Sequence, residues 1–478
     1  MADQIALPRP AGPLPAPATW LQIAMLLCLV GGSLGHTPAA LQLAALLALA
    51  WMATQVQRMI RLAQVFLALA AVLAAVALAV MPGAFARIET AVIQGTGFAA
   101  LMMVLGLLRD PVRRSRAAIG ATGYLLSVPP ARRFAALFAG AHLMSLMFNV
   151  GIIAMIGDLT ESRDGRDLSR DPSRRAMVMA AMRGAALVAI WSPIGLGFAI
   201  VSAGIPTLDP VRLVLAAAAF TAVAVLIGCR WPLLPPEASV QPEDRPAPPV
   251  SPMGPMGPMM APGIGPMLAI LAISGLLLAA TYALHRLAGP SFTVASVSVL
   301  PAFALVWLAL ESRGAPGRFG PRLGLALTAL GDLRSEGATF LSANVIGAVL
   351  SMGLQATPVW HALVASDAAG LPLALACLVA VPLAASVYLP NTIVVVMGAQ
   401  LLGHTPLGTG HPLTLALALC IGWGLAICVS PLSAMCLITA RFCGVSSRKV
   451  ALGWNARYVF LLTLLGLAAV TLCHAAGL

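Results

Sequence analysis

Two serine–proline pairs, each inside a long apolar stretch, are the residues of this chain best suited to bind an ion. Ser192-Pro193 interrupts residues 176–204, and Ser430-Pro431 interrupts residues 411–439. Proline removes a backbone donor and clashes with the preceding helical turn, so a helix is predicted to break at each pair. Backbone groups freed inside a membrane must be received by protein or by a water-filled cavity. Each break is therefore a candidate binding site.

Two asparagines recur with the breaks. Asn149 precedes the first break by 43 residues, and Asn391 precedes the second break by 39 residues. An Arg-x-Glu sequence at 87–89 and 334–336 precedes these asparagines by 62 and 57 residues. Because three landmarks recur in the same order at near-equal spacing, we interpret the chain as two internal repeats.

The composition indicates a membrane protein. The chain is 60% hydrophobic and 9% charged, with a mean hydropathy of +0.94, and a soluble domain could not cover so much apolar surface. The net charge of +12 comes mostly from arginines in short loops, which the positive-inside rule explains better than nucleic-acid binding does. The eight cysteines are scattered without a CxxC pair and predict neither disulfides nor a metal site.

Apolar runs predict an all-α polytopic membrane protein with about eleven transmembrane spans. The runs lie at about 20–35, 37–54, 62–82, 88–108, 176–204, 210–228, 266–287, 292–310, 336–353, 411–439 and 450–475. They divide the chain into an N-terminal tail with the first span (1–36), repeat 1 (37–228), a Pro-rich cytoplasmic linker (229–265) and repeat 2 (266–478).

Loop charges predict that the two repeats have inverted topology. The loop before Asn149 is strongly basic, whereas its counterpart at 354–370 has no Arg or Lys. After the breaks the bias is reversed, because 205–211 has no basic residue and 440–449 has three. A swapped bias is expected if the repeats insert in opposite directions.

Re-entrant hairpins at about 131–157 and 371–404 reconcile this topology with the remaining loops. If residues 131–157 dip into the membrane and return, every strongly basic loop becomes cytoplasmic, as does the N-terminus. The abundance of Arg, Ala, Pro and Gly suggests a GC-rich bacterial genome. We therefore expect a multi-pass protein of the bacterial cytoplasmic (inner) membrane.

Two opposed hairpins and two broken helices would bring Asn149, Ser192, Asn391 and Ser430 together near the membrane midplane. Helix N-termini there suit an anion, and freed carbonyls with Asn or Ser oxygens suit Na⁺. No Asp or Glu lies in a hairpin core or a break, which favours Na⁺ over a carboxylate proton relay. Apart from a transient Na⁺, the sequence predicts no metal and no cofactor.

Four further residues are candidates for coupling. His142 is the titratable group best placed in a hairpin arm if coupling is to protons, although packing is its more common role. Arg183 either neutralises an anionic substrate or extends toward the cytoplasmic loop. Glu89 and Glu336 lie at helix starts, where pairing with the neighbouring arginine is the favoured interpretation.

The layout resembles the ion transporter superfamily, most closely the divalent anion/sodium symporters. That family has a Ser-Asn-Thr motif in each hairpin and Ser-Pro-x-Gly-type breaks. The motifs here are Phe148-Asn149-Val150 and Pro390-Asn391-Thr392 in the hairpins, and Ser192-Pro193-Ile194-Gly195 and Ser430-Pro431-Leu432-Ser433 in the breaks. The asparagines and the first break match, whereas the first hairpin lacks both hydroxyls. The resemblance implies that the motif residues recognise carboxylate and sodium, with elevator-type movement, often within a dimer.

The leading hypothesis is a secondary active transporter that moves a small anionic solute together with Na⁺ or H⁺. A cation/proton antiporter or an exporter on the same scaffold is the first alternative. A membrane-embedded enzyme would need a nucleophile–base pair or a metal cluster, and no HExxH or GxSxG sequence is present. A passive channel fits less well, because inverted repeats with broken helices suit alternating access.

The re-entrant hairpin generates a testable expectation. Single cysteines introduced near residues 130 and 165 should react with a membrane-impermeant maleimide from the same side, because the hairpin returns to the face from which it enters. Labelling from opposite sides would contradict the topology.

Overall fold

The structure is a computed structural model that describes residues 17–161, 168–238, 263–313, 319–366 and 369–478. Within these residues the secondary structure is helical, without a strand. The α-helices are α1 (Pro17–Leu34), α2 (Pro38–Gln55), α3 (Arg61–Val80), α4 (Ala84–Arg114), α5 (Arg116–Ser127), α6 (Pro130–Phe148), α7 (Gly151–Leu159), α8 (Pro172–Trp191), α9 (Leu196–Gly204), α10 (Pro210–Arg230), α11 (Gly265–Ala288), α12 (Phe292–Ser312), α13 (Phe319–Ala329), α14 (Arg334–Gln355), α15 (Pro358–Val364), α16 (Leu371–Ser386), α17 (Asn391–Leu402), α18 (Pro406–Gly410), α19 (Pro412–Val429), α20 (Ala434–Cys443) and α21 (Ala456–Ala475).

The predicted fold class is confirmed. Among the described residues, eleven helical segments are long and apolar enough to cross a membrane. Two of these segments, Pro172–Gly204 and Pro412–Cys443, are interrupted at a Ser-Pro pair. The chain is therefore an all-α polytopic membrane protein.

The chain divides into two compact units. The first unit comprises residues 1–111 and 280–345. Within it, the amide of Gln22 on α1 donates to Leu330 O at 2.9 Å, and the amide of Asn344 on α14 donates to Ala91 O at 2.7 Å. These buried side-chain bonds hold helices that are distant in sequence. Many apolar side chains of its outer helices are exposed, for example Leu46, as expected for lipid-facing surfaces.

The second unit comprises residues 112–279 and 346–478, and it contains both predicted hairpins and both broken helices. Helices α8 and α19 form its centre. Sixteen of the twenty residues of α8 are buried, as are sixteen of the eighteen residues of α19. Helix α19 is apolar on all sides, and such a helix is expected to be buried. Helix α8 is buried together with three arginines, which bond to backbone carbonyls.

The hairpins correspond to two helix pairs, α6–α7 and α16–α17. Their second arms have nine and twelve residues. At 1.5 Å per residue these arms span about 14 and about 18 Å, too short to cross a hydrocarbon core of about 30 Å. The first pair turns at Asn149, which has a φ of 47°. Asparagine is among the few residues other than glycine that adopt a positive φ readily.

The two hairpins pack on the two broken helices in matching patterns. Helix α6 packs on α8, and α16 packs on α19. The second arms cross over, because α7 packs on α20 whereas α17 packs on α9. Glycines permit close backbone approach at these contacts: a Cβ at residue 184 would overlap the carbonyl oxygen of Phe138, and one at residue 204 would overlap Ala399. Each hairpin therefore contacts both broken helices.

The broken helices run antiparallel. At one end, Arg175 near the start of α8 donates to Cys443 O at the end of α20, over 3.1 Å. At the other end, the hydroxyl of Thr207, just after α9, donates to Gly408 O, just before α19, over 2.8 Å. Two helices whose starts lie beside each other's ends have opposite directions. This is the arrangement that an inverted repeat requires.

The start of the predicted linker at 229–265 has defined contacts in the second unit. The short 3₁₀-helix Pro236–Ala238 carries Glu237, whose carboxylate pairs with Lys449 at 2.8 Å and Arg175 at 3.5 Å. Residues 231–238 thus pack as part of this unit instead of forming an extended linker. The remainder of the predicted linker, from 239 to 262, lies outside the described residues.

The contact between α6 and α8 can be tested by a substitution that adds one methyl group to α8. Gly184→Ala is expected to destabilise the protein by about 1–3 kcal/mol, because a Cβ there overlaps the Phe138 carbonyl. Gly275→Ala on α11 is the matched control, because a Cβ at that position meets no atom within 4 Å. Unfolding of the purified protein in mixed micelles measures both. Equal stability of the two variants would contradict the packing.

Candidate functional site

Both Ser-Pro breaks have the same backbone geometry. The residue before each proline is extended, with ψ of 119° at Ser192 and 115° at Ser430. A proline favours this conformation in the residue that precedes it. In each break the amide three residues later donates back to that serine: Gly195 N to Ser192 O at 2.9 Å, and Ser433 N to Ser430 O at 3.1 Å. A new helix then begins.

The second break is closed by donors from the protein. The Ser433 hydroxyl donates to Ile427 O at 2.7 Å, the carbonyl whose helical partner would have been the missing N–H of Pro431. The same hydroxyl accepts from Cys436 N at 3.1 Å and so caps α20. The next carbonyl, Cys428 O, receives the Asn455 amide at 3.1 Å. The structure thus assigns Ser433, a predicted binding residue, a backbone-satisfying contact.

The first break lacks these donors. Gly195 occupies the position that corresponds to Ser433, and it has no side chain. Helix α9, which starts after Gly195, has no side-chain cap. Among the described residues, no donor is within hydrogen-bond distance of Ala189 O or Ile190 O, the counterparts of the two capped carbonyls. At this break Ser192 is 2% exposed and Ile190 is fully buried, whereas Ala189 is partly buried.

The predicted hairpin residues lie at helix ends. Asn149 is exposed at the turn between α6 and α7. Asn391 is the first residue of α17, after Pro390, and is partly buried, whereas the adjacent Thr392 is buried. Because α17 packs on α9 and α7 packs on α20, the structure places each asparagine on a hairpin whose second arm contacts a broken helix. Neither α7 nor α17 has a side-chain cap.

His142 is buried on α6, and both of its ring nitrogens have partners. The indole N–H of Trp191 lies 3.3 Å from Nε2, and Gly184 O lies 3.1 Å from Nδ1. Because an indole can only donate, Nε2 accepts and Nδ1 carries the proton. This assigns the neutral imidazole, held between α6 and the end of α8. Uptake of a proton at Nε2 would break the bond to Trp191.

Arg183 is fully buried, at 0% exposure, and its guanidinium bonds to protein acceptors. Nε donates to the Asn455 side-chain oxygen at 2.9 Å, and Nη2 donates to Trp454 O at 2.9 Å. Nη1 donates to Pro232 O, and the group lies 4.5 Å above the Tyr458 ring. The guanidinium thus bonds both to the π-helix end at Trp454 and Asn455 and to the segment that follows α10. Arg183 precedes the first break in the sequence, but through Asn455 it is linked to the second break.

Glu89 and Glu336 belong to the first unit, whereas the hairpins and breaks belong to the second. Glu89 accepts a bond from the Gln42 amide at 2.6 Å. Glu336 is an exposed residue in the first turn of α14.

The sequence reasoning missed Asn455. This residue follows a π-helix, Lys449–Trp454, which leads from the exposed Lys449 to the buried Asn455. π-Helices are rare and occur often at functional sites. A lone asparagine within an apolar run was the only signal. Among the described residues, no group of three or more His, Cys, Asp or Glu side chains could hold a metal ion.

The fold and the site define a polytopic membrane protein with two antiparallel interrupted helices at the centre of one unit. No family model matches the chain, and no curated protein does. Among solved structures, the chain is similar to the Alcanivorax borkumensis YdaH transporter, described as having an unusual topology. The identity is 15%, the match covers 86% of this chain and 95% of that one, and the TM-score is 0.41.

The Asn455 contacts are testable by a change of stability. Asn455→Leu should destabilise the protein by about 1–3 kcal/mol, because it removes the acceptor of the buried Arg183 Nε and the amide donor of Cys428 O. Gln55→Leu is the control, since Gln55 is only partly buried and its side chain bonds to its neighbour Thr54. The free energies of unfolding of both variants are measured in mixed micelles. A loss of less than about 0.5 kcal/mol in Asn455→Leu, the size expected of a surface substitution, would refute the assignment.

Proposed function

We propose that the protein is a secondary active transporter that moves a small anionic solute across the bacterial inner membrane, coupled to Na⁺ or H⁺. The observation that carries this proposal is the pair of antiparallel interrupted helices, each contacted by both hairpins. Discontinuous helices that meet from opposite directions are the usual substrate and ion sites of transporters with inverted repeats.

The helix ends support an anionic solute. Helices α7, α9 and α17 each begin at a turn or break without a side-chain cap. Their first N–H groups and positive dipole ends would stabilise negative charge. The amides of Asn149 and Asn391 lie at the starts of two of these helices and can donate to the same ligand.

A metal cation is the better supported coupling ion. No Asp or Glu lies in either break. His142 would have to give up its bond to Trp191 to take a proton. Freed carbonyls such as those of Ala189 and Ile190, by contrast, are hard oxygen ligands that suit Na⁺.

The division into units supports an elevator-type mechanism as the working hypothesis. All hairpins and breaks lie in the second unit, and the first unit holds other long apolar helices. In this proposal the second unit carries the solute and the first serves as the scaffold. We also propose that the N-terminus is cytoplasmic and that two copies form a homodimer, following the resemblance in the sequence.

The alternative within transport is a cation/proton antiporter or an exporter on the same scaffold. It differs from the main proposal in the direction of the driven flux. Among the described residues, no contact favours a membrane-embedded enzyme, and we propose no catalytic role.

Uptake into proteoliposomes tests the proposal. Radiolabelled acetate, succinate, sulfate and phosphate are offered with an imposed Na⁺ or pH gradient, and uptake of at least one anion is expected only with a gradient. The Asn149→Ala/Asn391→Ala double variant should lose at least about tenfold in rate, because a hydrogen bond to a charged ligand contributes about 1.5–3 kcal/mol.

The Gln55→Ala variant, in the first unit and away from the hairpins and breaks, is the control and should transport normally. Gradient-independent flux, or full activity of the double variant, would overturn the mechanism. Accumulation only when the gradient is directed outward would favour the antiporter or exporter.

A further inference from the structure

The two breaks share a backbone conformation but differ in how their freed carbonyls are satisfied. At the second break, Ile427 O accepts from the Ser433 hydroxyl at 2.7 Å and has the Cys436 thiol at 3.6 Å. Cys428 O accepts from the Asn455 amide at 3.1 Å and has the same thiol at 3.4 Å. Each oxygen thus accepts one hydrogen bond from a side-chain O–H or N–H, and the single S–H of Cys436 can donate to one of the two oxygens at a time. Both freed carbonyls of this break are therefore satisfied by protein donors.

A permanent positive charge lies next to this closed break. The Arg183 guanidinium donates to the Asn455 side-chain oxygen at 2.9 Å, while the amide nitrogen of Asn455 donates to Cys428 O. Asn455 therefore connects the Arg183 guanidinium, which is always protonated, to Cys428 O, one of the carbonyls freed by the break. A second cation at this position would meet charge repulsion in a low-dielectric interior.

The first break has the opposite character. Gly195 and Phe198 occupy the positions of Ser433 and Cys436, and neither side chain can donate a hydrogen bond to a carbonyl oxygen. Among the described residues, Ala189 O and Ile190 O receive no donor. Ile190 is fully buried, and Ala189 is partly buried. Freed carbonyls of this kind are ligands for a hard cation.

We propose that the Arg183–Asn455 pair takes the place of a cation at the second break, so that the protein binds one Na⁺ per chain, at the first break. The inference rests on the proposed function, which it deepens by assigning the coupling ion and its number. Arg183 acts through Asn455 and is a positioning residue. Its fixed charge also supplies, without ion uptake, part of the countercharge that an anionic solute requires.

Equilibrium binding of ²²Na⁺ to the purified full-length protein tests the number of sites. One Na⁺ per chain is expected for the unaltered protein, with K⁺ as the non-competing control. Two Na⁺ per chain would overturn the inference. This measurement needs no variant and no knowledge of the solute.

A reciprocal pair of substitutions tests the location. Gly195→Ser introduces the hydroxyl that closes the second break and should weaken ²²Na⁺ binding at least tenfold. Gly195→Ala adds the same Cβ, which would lie 2.9 Å from Ser192 O, without the hydroxyl. It is the matched control for the added volume, and Gly195→Ser should bind ²²Na⁺ at least tenfold more weakly than it does. Ser433→Ala removes the hydroxyl from the closed break and should leave affinity within about threefold. Weakened binding in Ser433→Ala but not in Gly195→Ser would overturn the assignment.

The flux assay separates this inference from the proposed function. Uptake driven by a Na⁺ gradient together with one bound Na⁺ supports both. Uptake driven only by a pH gradient, without ²²Na⁺ binding, would overturn the inference and leave the transporter in place. Absence of gradient-driven uptake of every anion would overturn the proposed function, and the inference with it.

Discussion

The constraint on which this structure depends is that a helix broken inside a membrane must place its freed backbone groups in contact with polar partners. Pro193 and Pro431 break two helices that lie at the buried centre of one unit. Unsatisfied carbonyls there would cost free energy in hydrocarbon, so the neighbouring elements either supply donors or leave room for a ligand. The antiparallel arrangement places the two breaks in one compact unit with both hairpins.

The two breaks meet this constraint differently. The second break uses protein donors, and its closure extends through Asn455 to Arg183 and from there to the carbonyl of Pro232, at the start of the segment that the sequence suggested was a linker. This chain of contacts joins α8, α19, the π-helix and residues 231–238 into one network. The first break, with Gly195 in place of Ser433, leaves its carbonyls for a cation in our proposal. The two breaks thus share one backbone geometry but differ in the groups that contact their freed carbonyls.

Local chemistry explains what the sequence could and could not predict. The breaks and spans were predictable because proline and hydropathy act through neighbouring residues. The role of Arg183 remained open between two interpretations because its partners are about 50 and 270 residues away in the sequence. Asn455 gave no periodic or motif signal, and only the π-helix brings it to Cys428. The predicted meeting of the hairpin asparagines with the break serines stays a prediction.

Disulfide cross-linking in native membranes tests the central claim, the antiparallel contact of the interrupted helices. In a chain whose native cysteines are replaced by alanine, cysteines are paired at 169 and 444 and at 207 and 409, at opposite ends of these helices. Ser169 lies against Gly444, and Thr207 bonds to Gly408, the residue before Thr409. The account predicts that both pairs cross-link, whereas the exchanged pairs, 169 with 409 and 207 with 444, do not. Cross-linking of the exchanged pairs in place of the original ones would contradict it.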